Sequence, residues 1–341
     1  MSVGILGYGV YIPRYRINKS EYVKAWGRFA AAGVEEKAVP GFDEDPTTMA
    51  VEASMNALKH AKIDASKLNA IYFASTSSPY AEKLASSTIA MALGAPPRVS
   101  VSDFTSSTMA GTSALLMSLD FVASGRGSFA LVTASDCPYA DPSDFLEHPL
   151  GAGAAAFVVG KGTPMATIEA SDCATIEALG ERFRKKGEKS IETLGIPAYT
   201  QTVIVNTVAS SVKALMDKTG RKPGDFSSVV LPQFDGRLPS RIARKTGFEE
   251  AQFISSMIVS QVGDAGAASP LIGLAKVLDE AKPGHKVLVA SYGAGASSDA
   301  VSINVNEEIM KRKGSAPSVK DYLVDKQLID YVQYLKIRKM I

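Results

Sequence analysis

Apolar positions along this chain alternate between two periods, and that alternation predicts its architecture. Residues 3–11, VGILGYGVY, form an apolar, glycine-punctuated run closed by Pro13, as a buried strand would. Between 47 and 61, Met49, Ala50, Ala53 and Leu58 recur at helical spacing, with Thr47 or Thr48 placed to cap the helix. The pattern then predicts a strand at 70–75, a helix at 86–93, a strand at 99–103, a long helix over 109–124, and buried strands at 129–134 and 154–159. The second half repeats the order. It predicts helix 203–216, strand 228–231 ending at Pro232, helix 241–246, strand 253–259, a glycine-rich turn at 263–268, helix 270–281, and strands 286–291 and 300–305. Strands alternating with helices predict an α/β protein whose mainly parallel sheet is covered on both faces.

The halves echo each other most plainly near their ends. LGAGAAAFVVG at 150–160 corresponds to YGAGASSDAVSI at 292–303, and each follows a strand-like run, FALVTASD or HKVLVASY. Self-similarity with a period near half the chain marks a duplicated unit, two fused halves rather than a solenoid. Residues 170–200 read as irregular, with a basic run at 182–189 that either faces water or meets the phosphates of an anionic ligand. The expected organisation is an N-terminal half at 1–169, a variable cap or joint at 170–200, a C-terminal half at 201–306 and an extension at 307–341.

Composition narrows the function classes. The chain has 341 residues, 46% hydrophobic and 21% charged, enough for two domains or one large duplicated one. A formal charge of +2 argues against nucleic acid or an anionic membrane as partner. The two cysteines, Cys137 and Cys173, form no C-x-x-C and have no nearby histidine pair, so a structural zinc site is not expected and a reducing compartment is. The N-terminal segment lacks the basic start and long apolar core of a signal peptide, and no run reaches membrane-spanning length without charges or glycine breaks. The expected location is cytoplasmic. Gly4, Gly7 and Gly9 fall short of a dinucleotide fingerprint, because no helix follows at once and no acidic residue stands at the expected distance.

Candidate chemistry centres on residues 99–116, VSVSDFTSSTMAGTSALL. A strand, four hydroxyls (Thr105, Ser106, Ser107, Thr108) and a small-residue helix form the layout that places a nucleophile at a helix N-terminus, where free N–H groups and the dipole stabilise negative charge. Ser and Thr are also preferred helix caps, so the same residues read equally as capping groups. A hydroxyl nucleophile needs a base within hydrogen-bond reach. Of His60, His148 and His285, only His148, just before the glycines at 151–153, is expected near a pocket, and each also reads as structural. Cys137 follows strand 129–134 and is either near the active end of the sheet or a small buried side chain.

Taken together, GILGYGVYIPRYRI, VEEKAVPGFDED at 34–45, SPYAEK at 78–83, AGTSAL at 110–115, GAGAAAFVVGK at 151–161, GIPAY at 195–199, ASPLIGLAKVLDEAKPG at 268–284 and the tail IDYVQYLKIRK resemble the thiolase superfamily, and within it the short, archaeal-type hydroxymethylglutaryl-CoA synthases. The resemblance implies a thiolase-like duplicated five-layered αβαβα fold that pairs into dimers or larger oligomers. It also implies a coenzyme A thioester as substrate or ligand, with no covalently bound cofactor. The family's chemistry uses a cysteine that takes the acetyl group, a histidine that binds acetoacetyl-CoA and a glutamate that removes the methyl proton. At the matching positions this chain has Thr108, Pro232 and Thr76, so no catalytic residue is intact. Gly263-Asp264 stands where the family has an asparagine, and Ser106, Ser107, His148, Asp264, Gly263 and Gly293 are the remaining pocket candidates.

VGDAGAASP, with the missing nucleophile, is also similar to the non-catalytic synthase-like subunit of bacterial monoacetylphloroglucinol acyltransferase. That likeness implies a catalytic thiolase subunit and a zinc-ribbon/OB-fold protein as partners. The expectation is a non-catalytic subunit of a coenzyme A-dependent acyltransferase complex. Two alternatives stay open: an active acyltransferase or synthase using Thr108, a neighbouring serine or Cys137, and a stand-alone acyl-CoA-binding module.

Overall fold

The computed structural model describes residues 2–341. Its first half runs β1 (Ser2–Tyr11), β2 (Tyr15–Asn18), α1 (Lys19–Trp26), β3 (Glu36–Val39), α2 (Pro46–Ala61), β4 (Ala70–Ala74), α3 (Ala85–Leu93), β5 (Ser100–Phe104), α4 (Ala110–Ala123), β6 (Phe129–Asp136) and β7 (Gly153–Gly162). The second half runs β8 (Ala166–Thr175), α5 (Pro197–Thr219), β9 (Ser228–Val230), α6 (Leu238–Thr246), α7 (Glu250–Ile254), α8 (Val259–Val262), α9 (Ser269–Glu280), β10 (Lys286–Ala290) and β11 (Ser297–Val305). The tail adds α10 (Ile309–Arg312), α11 (Val319–Val324), β12 (Gln327–Ile329) and α12 (Tyr331–Ile337).

The large sheet has the order β5-β4-β6-β7-β1-β8-β11-β10-β9. Reading outward from its centre, β1-β7-β6-β4 and β8-β11-β10-β9 share one pattern: two antiparallel pairings, then a parallel one. The duplication is therefore in the topology, and the halves meet through a single pair, Ile5 with Ala166. The sheet is mixed, not mainly parallel. Strand and helix alternate only as far as β6 and β10; β7 and β11 then return with no helix between, and such returns are antiparallel.

Helix α2 packs on one face of β1, β6 and β7, α4 and α9 lie between the two halves, and α5 covers β8, β10 and β11 from outside. The apolar clusters follow these layers. Met49, Ala53, Phe73 and Val158 fill the first, Ala114, Phe157, Leu271 and Val301 the middle, and Val208, Val212, Val229 and Leu288 the last. Glycines set the closest approach: a Cβ on Gly9 would start 2.4 Å from Ala57 N and 2.5 Å from Ala53 O, so β1 lies directly on α2. Gly7 lies as close to Ala61 of the same helix, while Gly4 lies against Ala166 and Pro164.

Three local expectations differ from the structure. Helix α2 is capped by Asp45, whose carboxylate accepts from Thr48 N while Thr48 returns the bond to Asp45 N. Residues 166–175, those from 170 on inside the expected irregular joint, form β8, whose polar alternation hid a strand paired along its length with β11. Residues 253–259 form no strand. Gln233 Oε1 accepts from Ile258 N and Val259 N (2.7 and 3.0 Å) and its Nε2 donates to Ser256 O (3.1 Å), so a side chain satisfies the backbone that a sheet would have paired.

The tail is anchored by buried cations. Arg16 donates to Tyr322 O (3.1 Å), Arg338 to the carbonyls of Cys137 and Pro138 (2.9 Å each). Lys37 Nζ donates to Glu147 O (2.6 Å) and lies over the Tyr22 and Tyr334 rings (4.9 and 4.8 Å). Burial pushes Lys37 down to about 7, against the pull of the Glu147 carboxylate. An unfolded lysine titrates near 10.4, so between these values the unfolded chain binds more protons and stability rises with pH, by up to about 4 kcal/mol over three pH units. Urea unfolding between pH 7 and 9.5 is expected to show that rise in the native protein and to lose it in Lys37→Met; an unchanged slope refutes the assignment.

Candidate functional site

Between β5 and α4 the chain turns through five residues. Ser106 takes a left-handed backbone (φ 70°), rare for a residue with a Cβ and common at functional turns. Ser107 Oγ accepts from Met109 N (3.2 Å) in the turn, while the helix itself, with Met109 at its N-cap, has no side-chain cap. Thr108 sits one residue before the helix cap, buried, and its hydroxyl donates to Tyr292 O (2.6 Å). The neighbouring Gly293 presses on the turn: a Cβ there would start 2.0 Å from Ser107 Oγ.

Thr108 and Pro232 line one cavity. With Gln233, Phe234, Gly266 and Tyr292 they enclose about 10 Å³, roughly the space of one water. No imidazole or carboxylate side chain is among the lining residues. The Thr108 proton points at a backbone carbonyl, which is no base, and the hydroxyl stays protonated at neutral pH.

Thr76 is committed elsewhere. Its N–H and hydroxyl donate to the buried carboxylate of Asp136, at 2.8 and 3.0 Å. The same carboxylate accepts from Ser75 Oγ, Ser77 N, Ser77 Oγ and Ala267 N, six bonds within 2.6–3.0 Å. Burial pushes the Asp136 carboxyl up and these donors oppose the shift. Asp136 thus ties the end of β4 to the late glycine turn. A Cβ on Gly266 would start 2.3 Å from Asp136 Oδ2, which accounts for glycine there.

Asp264 pairs with Arg182 (2.7 Å) and accepts from Gly266 N and Ser269 Oγ (2.9 and 3.1 Å). Beside it Gly263, with φ 80°, crosses the first half's glycine loop: its Cβ would start 2.7 Å from Pro149 O, and one on Gly151 only 1.8 Å from Val262 O.

Residues 216–305 match the profile of the 3-Oxoacyl-[acyl-carrier-protein (ACP)] synthase III C terminal family. Over the full length, the chain is 38% identical to the hydroxymethylglutaryl-CoA synthase of Pyrococcus horikoshii, covering 99% of this chain and 96% of that one. It is 39% identical to that of Aeropyrum pernix, covering 99% and 94%. The chain belongs to the hydroxymethylglutaryl-CoA synthase family. Among solved structures, "MvaS in complex with 3-hydroxy-3-methylglutaryl coenzyme A" superposes with a TM-score of 0.89 at 19% identity, over 99% of this chain and 92% of that one. The 3-oxoacyl-[acyl-carrier-protein] synthase III from Aquifex aeolicus does so at 0.78 and 22% identity, over 89% and 100%. The fold is thiolase-like.

The other candidates of this synthase-family chain lie apart from the cavity. His148 stacks on Phe29 (4.9 Å, 6° between planes) and its Nδ1 accepts from Ala30 N (2.7 Å); burial pushes it down to about 4. His60 also falls to about 4 by burial, with Arg312 nearby, so both imidazoles are neutral at pH 7 and held in packing. The Cys137 carbonyl accepts from Arg338, and burial pushes its thiol up, away from reactivity. Among the described residues no group of three or more His, Cys, Asp or Glu forms a metal site, and no helix is long and apolar enough to cross a membrane.

Two buried carboxylates had no motif to reveal them. Glu181 accepts from Tyr292 OH and Gly295 N (2.8 and 2.6 Å), on the far side of the residue that holds Thr108. Asp299 accepts from Thr112 and Ser113 hydroxyls (2.8 and 3.1 Å) on the first turns of α4, and burial pushes its carboxyl up. The one signal for Asp136 and Asp299 was a carboxylate set in a strand-like run, FALVTASD and SSDAVSI.

Proposed function

We propose that this synthase-family chain is a cytoplasmic, non-catalytic subunit of a coenzyme A-dependent acyltransferase assembly, binding an acyl-CoA without carrying the acyl group itself. The observation that carries the reading is Thr108: the residue at the nucleophile position donates its hydrogen bond to the Tyr292 carbonyl, in a cavity lined by no imidazole or carboxylate side chain. Thr76 and Pro232 supply neither a base nor an imidazole. Relatives of this fold solved with coenzyme A or 3-hydroxy-3-methylglutaryl-CoA support a CoA thioester as the ligand. In this reading the partners are a thiolase, which supplies the cysteine, and a zinc-ribbon/OB-fold protein, with this chain a homodimer or larger.

The rival reading is an active acyltransferase using a hydroxyl at Thr108 or beside it. It draws on kinship, since relatives named as synthases match over 99% of the chain. Reconstitution with a co-encoded thiolase and zinc-ribbon protein separates the two. The three chains are expected to co-elute and transfer acyl groups, with activity abolished by replacing the thiolase's cysteine and retained in this chain's Thr108→Val. Acyl transfer by this chain alone, or failure of the three to associate, overturns the proposal.

A further inference from the structure

A loop of the expected joint reaches the site. Residues 180–194 contain no helix and close on themselves through Phe183 and Glu192, which exchange backbone bonds of 2.9 and 2.7 Å, and through Leu194 N to Gly180 O (2.7 Å). Glycines in the left-handed region mark its entry, tip and exit: Gly180, Gly187 and Gly195, with φ 75°, 90° and 71°.

It carries three charged side chains within four residues, buried Glu181, half-buried Arg182 and exposed Arg184, and each bonds a different segment. Glu181 holds Tyr292, whose carbonyl receives Thr108. Arg182 holds Asp264 in the late glycine turn and lies 6.0 Å from the Phe234 ring. Arg184 donates to Thr76 O (2.8 Å). The loop therefore bonds to Tyr292, whose carbonyl receives Thr108, and to Thr76 directly, and it approaches Phe234, two residues past Pro232.

The docked state is not fully satisfied. Arg182 Nη2 is buried with no hydrogen-bond partner, a cost that lowers the stability of docking. The Thr108 cavity, whose walls include Tyr292 and Phe234 but no residue of the loop, has space for about one water, far less than any acyl thioester needs.

We propose that residues 180–194 are a built-in plug, held in the site by Glu181, Arg182 and Arg184, which an acyl-CoA must displace to reach the Thr108 cavity. The inference rests on the reading of this chain as an acyl-CoA binder. Binding and displacement are then one equilibrium, and the apparent affinity is reduced by the fraction of open chains.

The test uses the full chain and acetyl-CoA as the probe, with two readouts: tryptic cleavage at Lys185, Lys186 and Lys189, and the dissociation constant by calorimetry. Acetyl-CoA is expected to accelerate cleavage of the native loop. Glu181→Gln/Arg182→Met is expected to be cleaved faster without ligand and to bind acetyl-CoA about tenfold more tightly, if roughly one native chain in ten is open. Arg184→Gln, which removes only the grip on Thr76, is expected to shift both readouts the same way by less, and decides the matter should the double variant fail to fold. Faster cleavage with unchanged affinity, or protection of the loop by acetyl-CoA, overturns the plug and leaves the non-catalytic reading untouched. Condensation by the opened variant has the reverse meaning: it supports the plug and overturns the non-catalytic reading.

Discussion

Given acetyl-CoA and acetoacetyl-CoA, the isolated chain is expected to form no hydroxymethylglutaryl-CoA at an enzymatic rate. The expectation follows from three vacancies of chemistry at once. In the proposed reading a threonine hydroxyl stands at the nucleophile position, and its hydrogen bond to Tyr292 O points the proton away from any base. The ring of Pro232 has no donor or acceptor to polarise a carbonyl. Thr76 has no carboxylate, and the Asp136 carboxylate nearby already accepts six bonds. A missing acid or base alone typically costs about 10²–10⁴ in rate, and loss of the nucleophile removes the covalent route altogether. Thr108→Cys should not restore turnover, because its sulfur would face the same carbonyl and two of the three groups would still be missing. Chromatography of products against released coenzyme A checks both proteins; turnover on the order of one per second by either refutes the expectation.

Asp136→Ala is expected to unfold the protein or bring it close to unfolding. The substitution leaves buried Ala267 N and half-buried Thr76 N without their acceptor, takes from Ser77 N one of its two acceptors, and removes the partner of three hydroxyls, Ser75, Thr76 and Ser77. Each buried donor so orphaned costs about 1–3 kcal/mol, against a total stability of about 5–15 kcal/mol for a typical protein. Asp136→Asn should lie between, since it keeps one acceptor oxygen but turns an amide N–H₂ towards groups that also donate. Urea unfolding of the three proteins measures the order. A loss under about 1 kcal/mol in Asp136→Ala, the worth of a single hydrogen bond, refutes this account of the junction.

How far the sequence could be read differs by element. Helix α2 was legible because Met49, Ala50, Ala53 and Leu58 form one apolar stripe, all of them buried. The duplication was legible because two glycine-rich segments repeat after two strand-like runs. Strand direction was not, since an apolar run has the same composition whichever way it points. β8 was hidden by its Ser, Asp and Thr residues, and the false strand at 253–259 by a buried glutamine twenty residues earlier. The small sheet β12-β2-β3, which unites the extension with the first half, joins segments about three hundred residues apart, and no local pattern encodes such a pairing. At the site, resemblance rather than periodicity brought Thr108 and Pro232 together. Nearness of His148 to Gly151 in sequence misled, because its ring turns back to Phe29 and Tyr22. The acidic anchors Asp136, Glu181 and Asp299 carry no motif, and their roles exist only once distant segments meet.

The crossing of the two glycine loops bears on how such a chain can drift over generations. At Gly151 and Gly263 the halves touch backbone to backbone, so no neighbouring side chain can move aside to admit a larger residue. Positions 76 and 108 are different, since each already holds a residue with a Cβ, its hydroxyl bonded to Asp136 or to Tyr292 O. A lineage can therefore change its reacting groups one at a time and keep a folded protein at every step. It has no such succession of viable intermediates at the crossing, where the first added methyl already collides with main chain. On the proposed reading, the chemistry is lost while this crossing of main chain is held in place.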